Sequence, residues 1–130
     1  MPEAKEYLRS DGSCPFQDRF TNLADPRAKA RVDTAVRKLA RGLRPDVKPV
    51  GEGVFEARID YGPGYRVYFG VDGAELVILL LCGDKRTQAG DIAAAKVYWT
   101  EYGVRKAAPP PRGGQPQQRP LLRPENDEEG

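Results

Sequence analysis

Between Val54 and Gln88 the hydrophobic period of the chain changes from helical to two and is carried through two turn signals. No other segment restricts the possible folds as tightly. Phe55, Ala57 and Ile59 alternate with Glu56, Arg58 and Asp60, the pattern of a strand with one buried face. Gly62-Pro63-Gly64 follows as a turn, since glycine adopts positive φ without steric penalty and proline presets its own φ. Tyr65, Val67, Phe69 and Val71 then continue the apolar face, with Arg66 and Tyr68 on the other side. Asp72-Gly73 is a two-residue hairpin signal, and Leu76 to Cys82 is apolar throughout, as in an interior strand covered on both faces. The predicted unit is a three-strand antiparallel meander that ends in Gly83-Asp84-Lys85-Arg86-Thr87-Gln88.

Pairing Tyr61 with Tyr65 across the first turn sets Asp60 opposite Arg66 and Arg58 opposite Tyr68, all on one sheet surface. The second hairpin returns the third strand beside the Gly62–Gly64 turn, so Lys85 and Arg86 are expected to emerge near Arg58 and Arg66. That convergence predicts a surface for an anionic partner.

Upstream, residues 5 to 9 are expected to form a short first strand with Tyr7 pointing inward. Ser13 before Cys14-Pro15 reads as a helix N-cap with proline in the first turn, and Phe16, Phe20 and Leu23 form one apolar face. Asp25-Pro26 repeats the cap for a second helix, where Ala28, Val32, Ala35, Val36 and Leu39 make the buried stripe and Gly42 the stop. Arg27, Arg31, Lys38 and Arg41 share another face of that helix, and Asp46 and Lys48 fall in the loop after it. Downstream, Ile92, Ala95, Trp99 and Tyr102 predict a closing helix capped by Asp91 and ended by Gly103.

The chain has 130 residues, enough for one domain. Six of its twelve prolines lie beyond Ala107, in a Gly/Gln-containing run with an acidic end, so residues 1–106 are expected to fold and 107–130 to form a disordered tail. The formal net charge is only +2, yet eight basic residues between Arg27 and Lys48 face two acidic ones. There is no histidine, which removes the commonest general base and metal ligand. Two cysteines, Cys14 and Cys82, are too few for a disulfide framework. No apolar leader precedes the fold and no apolar run reaches the ~18 residues of a membrane span, so a soluble, cytoplasmic protein without membrane contact is expected.

The element order and several local motifs resemble the RelE/ParE superfamily of bacterial type II toxins, in particular its HigB-like, phage-derived addiction module killer branch. The resemblance rests on Asp11-Gly12 with Pro15-Phe16, Asp25 with Ala28-Lys29-Ala30, and Asp46 through Val54. It continues through Glu56-Ala57-Arg58-Ile59, Tyr61 through Phe69, Gly83 through Gln88 and Asp91-Ile92, and covers roughly residues 5 to 103. It implies an α+β fold with a small, mostly antiparallel sheet in the order β-α-α-β-β-β-α and helices packed on one face. It also implies an mRNA endonuclease, free or on the ribosome, neutralised by a cognate antitoxin of helix-turn-helix type. The implied reaction needs no metal or other cofactor: the ribose 2′-hydroxyl attacks the adjacent phosphate, leaving a 2′,3′-cyclic phosphate and a 5′-hydroxyl. By this resemblance the catalytic candidates are Arg58, Arg66, Lys85 and Glu56, and the RNA contacts Arg58, Arg66, Tyr68, Lys85, Arg86 and Lys48. Val54 and Glu56 stand where some relatives carry lysines, and Ala89 to Ile92 where several carry a catalytic tyrosine or histidine. The general base stays open among Glu56, Lys85, Tyr61 and Tyr68.

Blander readings exist for each residue. Arg66 can pair with Asp60 across the hairpin, Glu56 can balance Arg58, and Lys85, Arg86 and the basic helix face can be solvated charge. Two other functions fit the same fold: a ParE-like toxin that inhibits DNA gyrase by binding, and a binding module without chemistry.

Overall fold

The computed structural model describes residues 3–107 apart from Pro45 and Glu75. The expected tail lies outside the described residues from 108 onward. Strand β1 (Glu3–Glu6) leads to helices α1 (Pro15–Thr21) and α2 (Pro26–Ala40). Strands β2 (Val47–Gly51), β3 (Val54–Ile59), β4 (Tyr65–Asp72) and β5 (Leu76–Asp84) follow, and a 3-10 turn (Lys85–Thr87) enters α3 (Gln88–Ala107). The fold is mixed α+β, with one five-stranded sheet in the order β1-β5-β4-β3-β2. All neighbours are antiparallel except β1 against β5.

The helix starts follow the sequence. Asp25 caps α2 by accepting from the Arg27 amide at 2.9 Å, with Pro26 at the first helical position. Ala28, Val32 and Leu39 are the buried stripe of α2. At α1 the capping position is Cys14 rather than Ser13, whose amide and hydroxyl both bond Asp11 instead.

The sheet separates two cores. Phe16, Val32, Leu39, Ala57, Val67, Phe69, Leu79 and Cys82 pack beneath α1 and α2. Tyr7, Val54, Tyr68, Ile78, Leu80, Leu81 and Ala95 pack beneath α3. Helices therefore cover both faces, not one: alternate residues of β3 and β4 point into different cores. A register shift between Tyr68 and Phe69 sets Tyr68 opposite Leu81 and Phe69 opposite Leu79, and this bulge puts Leu80 and Leu81 in the same core.

Other differences concern ends and edges. The segment expected as loop, Val47–Gly51, pairs with β3 as an edge strand, where Pro49 is tolerated because an edge need not donate on both sides. The first strand lies at Glu3–Glu6 rather than residues 5 to 9, with Tyr7 buried just after it. Helix α3 starts at Gln88, three residues before Asp91, and runs through Gly103. Trp99 of α3 lies across Gly70 of β4 and Gly53 of the β2–β3 turn, where a Cβ on Gly53 would come within 2.6 Å of the indole nitrogen. Both cysteines are free.

Candidate nucleic-acid interface

The β3–β4 connection determines how the two strand arginines meet. Tyr61 N–H donates to the Ile59 carbonyl (3.0 Å) and Gly64 N–H to the Tyr61 carbonyl (2.9 Å), with Gly62 and Gly64 at φ of 56° and 87°. This turn takes Asp60 and Tyr61 out of the strand, so Ile59 pairs with Tyr65, Arg58 with Arg66, and Glu56 with Tyr68. The expected register, with Asp60 opposite Arg66 and Arg58 opposite Tyr68, is thereby displaced. Arg58 and Arg66 are instead direct cross-strand partners, an arrangement that destabilises a sheet unless the charge is compensated.

Both arginines line a 270 Å³ cleft with Asp46, Ile59, Asp60, Gly64 and Tyr65. Arg58 is half exposed, and its Nε lies 3.5 Å from Asp46 Oδ1. Arg66 is held from beneath: its Nη1 donates to the Gly64 carbonyl (3.2 Å), and its Nε faces Glu56 Oε2 at 3.5 Å. Its carboxylate partner is therefore Glu56, not Asp60.

Glu56 is fully buried, because β3 carries it on the side that α3 covers. Gln88 at the start of α3 donates to its Oε2 at 2.7 Å, and Lys48 of β2 approaches Oε1 at 3.8 Å. Among the described residues Glu56 Oε1, Arg66 Nε and the Tyr68 hydroxyl all lack a hydrogen-bond partner, so desolvated polar groups gather below the cleft. Tyr68 is fully buried too, and burial followed by the Glu56 charge pushes its hydroxyl well above the ordinary tyrosine range. Neither Glu56 nor Tyr68 lines the cleft. The expectation that their strand face meets solvent fails because α3 covers it.

Lys85 and Arg86 arrive as the hairpin geometry predicts. The Lys85 amide donates to the Gly64 carbonyl at 2.9 Å, so one carbonyl joins the 3-10 turn, the β3–β4 turn and Arg66. Lys85 is exposed and enters no ion pair among the described residues. Arg86 turns away: it binds Asp84 (2.9 Å), whose carboxyl is held below its usual range by that hydrogen bond, and it lines a separate 370 Å³ cleft with Arg19, Tyr65 and Thr87. Lys48 is exposed on edge strand β2, near Glu56 rather than in the cleft.

The loop that presents Lys85 has its own anchor. Arg19 of α1 donates to both carboxylate oxygens of Asp91 (3.0 and 3.1 Å) and to the Cys82 carbonyl (3.2 Å), and Thr87 donates to Asp91 at 2.6 Å. Gly83 passes directly over this group. Any Cβ there would fall on the Asp91 carboxylate and within 2.9 Å of Arg19 Nη1. Asp91, expected as a cap, is thus a buried partner of Arg19.

Sequence reasoning missed Gln88, Asp46, Tyr65 and the cleft walls on α2. The available signal was the parity of Glu56 with Tyr68, which assigns both to the face an apolar third helix must cover. Among the described residues no cluster of three or more His, Cys, Asp or Glu is placed to hold a metal ion, and no helix is long and apolar enough to cross a membrane.

An uncharacterized protein of Haemophilus influenzae (strain ATCC 51907 / DSM 11121 / KW20 / Rd) is 44% identical over 89 residues, covering 68% of this chain and 90% of its own length. The family model described as Phage derived protein Gp49-like (DUF891) matches residues 19–100, a span that includes both arginines of the cleft, Lys85 and the Arg19–Asp91 anchor. The chain belongs to this Gp49-like, phage-derived family, a toxin-like addiction-module family.

Proposed function

We propose that this chain is the toxin of a toxin–antitoxin pair and acts as an mRNA endonuclease that blocks translation, restrained by a helix-turn-helix antitoxin encoded next to it. The observation that carries this reading is the direct pairing of Arg58 with Arg66 in an open cleft, with Lys85 tied to the same turn. Two guanidiniums in cross-strand register repel, and a phosphate between them relieves that repulsion through charge-assisted hydrogen bonds.

In this mechanism Arg58 and Arg66 hold the scissile phosphate and stabilise the negative charge that grows as the ribose 2′-oxygen bonds to phosphorus. The bond from phosphorus to the 5′-oxygen breaks, leaving the 2′,3′-cyclic phosphate, and Lys85 donates a proton to the departing oxygen. Burial removes Glu56 and Tyr68 from contact with substrate. Tyr61 donates its hydroxyl proton to Asp25 (3.0 Å), which raises the tyrosine's pKa and spoils it as a base. Water in the open cleft takes the 2′ proton. Glu56 acts on the reaction through Arg66, as a positioning residue.

Induced expression is expected to arrest growth, and co-expression of the neighbouring gene to relieve it. Mapping of transcript ends is expected to find cuts bearing 5′-hydroxyls, absent with Arg58→Ala/Arg66→Ala. Growth arrest with intact messages and inhibited DNA supercoiling would replace this reading with gyrase inhibition.

A further inference from the structure

A second cleft, of 240 Å³, lies beside the first, between α2 and β3. Its α2 wall is Arg31, Thr34, Ala35 and Lys38, and it shares Asp46, Arg58 and Ile59 with the arginine cleft. The two clefts thus have Asp46, Arg58 and Ile59 as common lining. We propose that this second cleft is the subsite for the neighbouring nucleotide of single-stranded RNA, with Lys38 and Arg31 taking the next phosphate along the strand.

Charge supports this first. The one ion pair on α2 among the described residues joins Arg37 to Asp33, so Arg31 and Lys38 face the cleft without carboxylate partners. The Asp46 carboxylate lies 3.5 Å from Arg58 Nε, and the Asp46 backbone carbonyl accepts from the Arg58 amide at 2.9 Å. Arg58 contributes positive charge to the lining that the two clefts share.

Pre-organisation is the second support. The Arg31 guanidinium lies 4.8 Å from the centroid of the Tyr61 ring, and the Tyr61 hydroxyl is fixed on Asp25 at 3.0 Å. A cation seated on an aromatic face loses less freedom when it binds phosphate. Tyr61 in turn stacks on Tyr65, with ring centroids 6.4 Å apart and planes at 26°, and Tyr65 lines the first cleft. Phosphate-binding cations in series, flanked by half-exposed aromatic rings, suit a strand whose bases are unstacked, since each base needs an aromatic surface and each phosphate a cation.

This inference rests on the RNA reading and is tested apart from cleavage. The 2′-hydroxyl is the nucleophile, so fluorescein-labelled 2′-O-methyl oligouridines of two and six nucleotides bind without being cut. Anisotropy titrations of the full chain at several salt concentrations give both affinity and salt slope. Arg31→Ala/Lys38→Ala is expected to weaken hexamer binding at least tenfold and to leave the dinucleotide within about twofold. The double variant's slope of log affinity against log salt is expected to be shallower by about 0.7, for one phosphate of a single strand. Arg41→Ala, an exposed position at the C-cap of α2 and outside both clefts, is expected to match wild type. Equal losses for both lengths, no loss, or an equal effect of Arg41→Ala would overturn the subsite while leaving the RNA reading standing. Failure of the wild-type protein to bind either oligonucleotide would overturn both. Polyglutamate bound as tightly, with the same dependence on Arg31 and Lys38, would assign the cleft to an acidic protein instead.

Discussion

Arg58 on β3 and Arg66 on β4 are direct cross-strand partners, and each has a carboxylate of its own: Asp46 for Arg58, Glu56 for Arg66, both at 3.5 Å. Opposed like charges weaken a sheet by roughly 0.2–1 kcal/mol. Removing the exposed member should therefore cost the fold little and the site much. Arg58→Gln is expected to keep its urea-unfolding free energy within about 0.5 kcal/mol of wild type. Its affinity for an uncleavable oligonucleotide should fall about tenfold or more, the loss of a charge-assisted hydrogen bond worth about 1.5–3 kcal/mol. A parallel loss of stability and binding would mean that Arg58 serves the fold.

Glu56 and Arg66 form the opposite case, an ion pair almost wholly out of solvent. Deleting the acid strands a buried guanidinium. Glu56→Ala is expected to cost about 3–5 kcal/mol in urea unfolding. Glu56→Gln, which keeps the shape and the bond to Gln88, should cost less, about 1–3 kcal/mol. Adding Arg66→Met to Glu56→Ala should restore part of the loss. Additive losses in that double variant would contradict a direct pair.

Gly83 tests the anchor of the Lys85 loop. Gly83→Ala forces a methyl group onto the Asp91 carboxylate and against Arg19, opening a part-buried bidentate pair. A loss of about 3 kcal/mol or more is expected. Gly90→Ala, whose added Cβ meets nothing within 4 Å, serves as the control near the start of α3 and should be neutral or slightly stabilising. Thermal unfolding followed by circular dichroism separates the two.

Stability should fall on both sides of a neutral plateau, with opposite signs of linkage. Burial pushes the Cys82 thiol up to about 12, and burial with the Asp72 hydrogen bond lifts Tyr102 to about 12. Groups whose folded pKa is raised contribute fully below their unfolded pKa, about 8.5 for Cys and 10 for Tyr, and lose that contribution as pH climbs toward 12. Asp84 is depressed by Arg86, Asp72 by Lys106 and Tyr102, and Glu101 by Arg9 and Tyr7. Their contributions are present above about pH 4 and vanish as pH falls through the lower folded values. Urea midpoints should thus be flat from about pH 5 to 8 and decline beyond either end. Cys82→Ser, which removes this buried thiol and leaves Cys14, should flatten the first part of the alkaline decline.

The meander was legible because period-two alternation and two turn signals leave few other solutions. What the sequence withheld was the turn's inner hydrogen bonds, which take Asp60 and Tyr61 from the strand and slide Arg58 opposite Arg66. Parity survives such a slide, so the faces were right where the partners were not. Glu56 was hidden for another reason: alternation reads the same whether the second face meets water or a helix. Only the apolar stripe of α3 says that it is covered. Gly103 reads as a helix stop, but Arg105 bonds the Leu8 carbonyl and Tyr7, and Lys106 pairs with Asp72, holding one further turn in place. Strand β2 carries Pro49 and reads as loop; its partner β3 supplies the order that its own residues do not.

Trp99 is the only tryptophan of the chain, and it lies where α3 crosses Gly70 and Gly53. The protein therefore contains an optical gauge of its own architecture. Any event that lifts the helix from the sheet must bare the indole to water and shift its emission to the red, with no label attached. The Gln88–Glu56 bond sits at the start of that same helix, so the colour of one side chain would report whether the support beneath Arg66 is still in place.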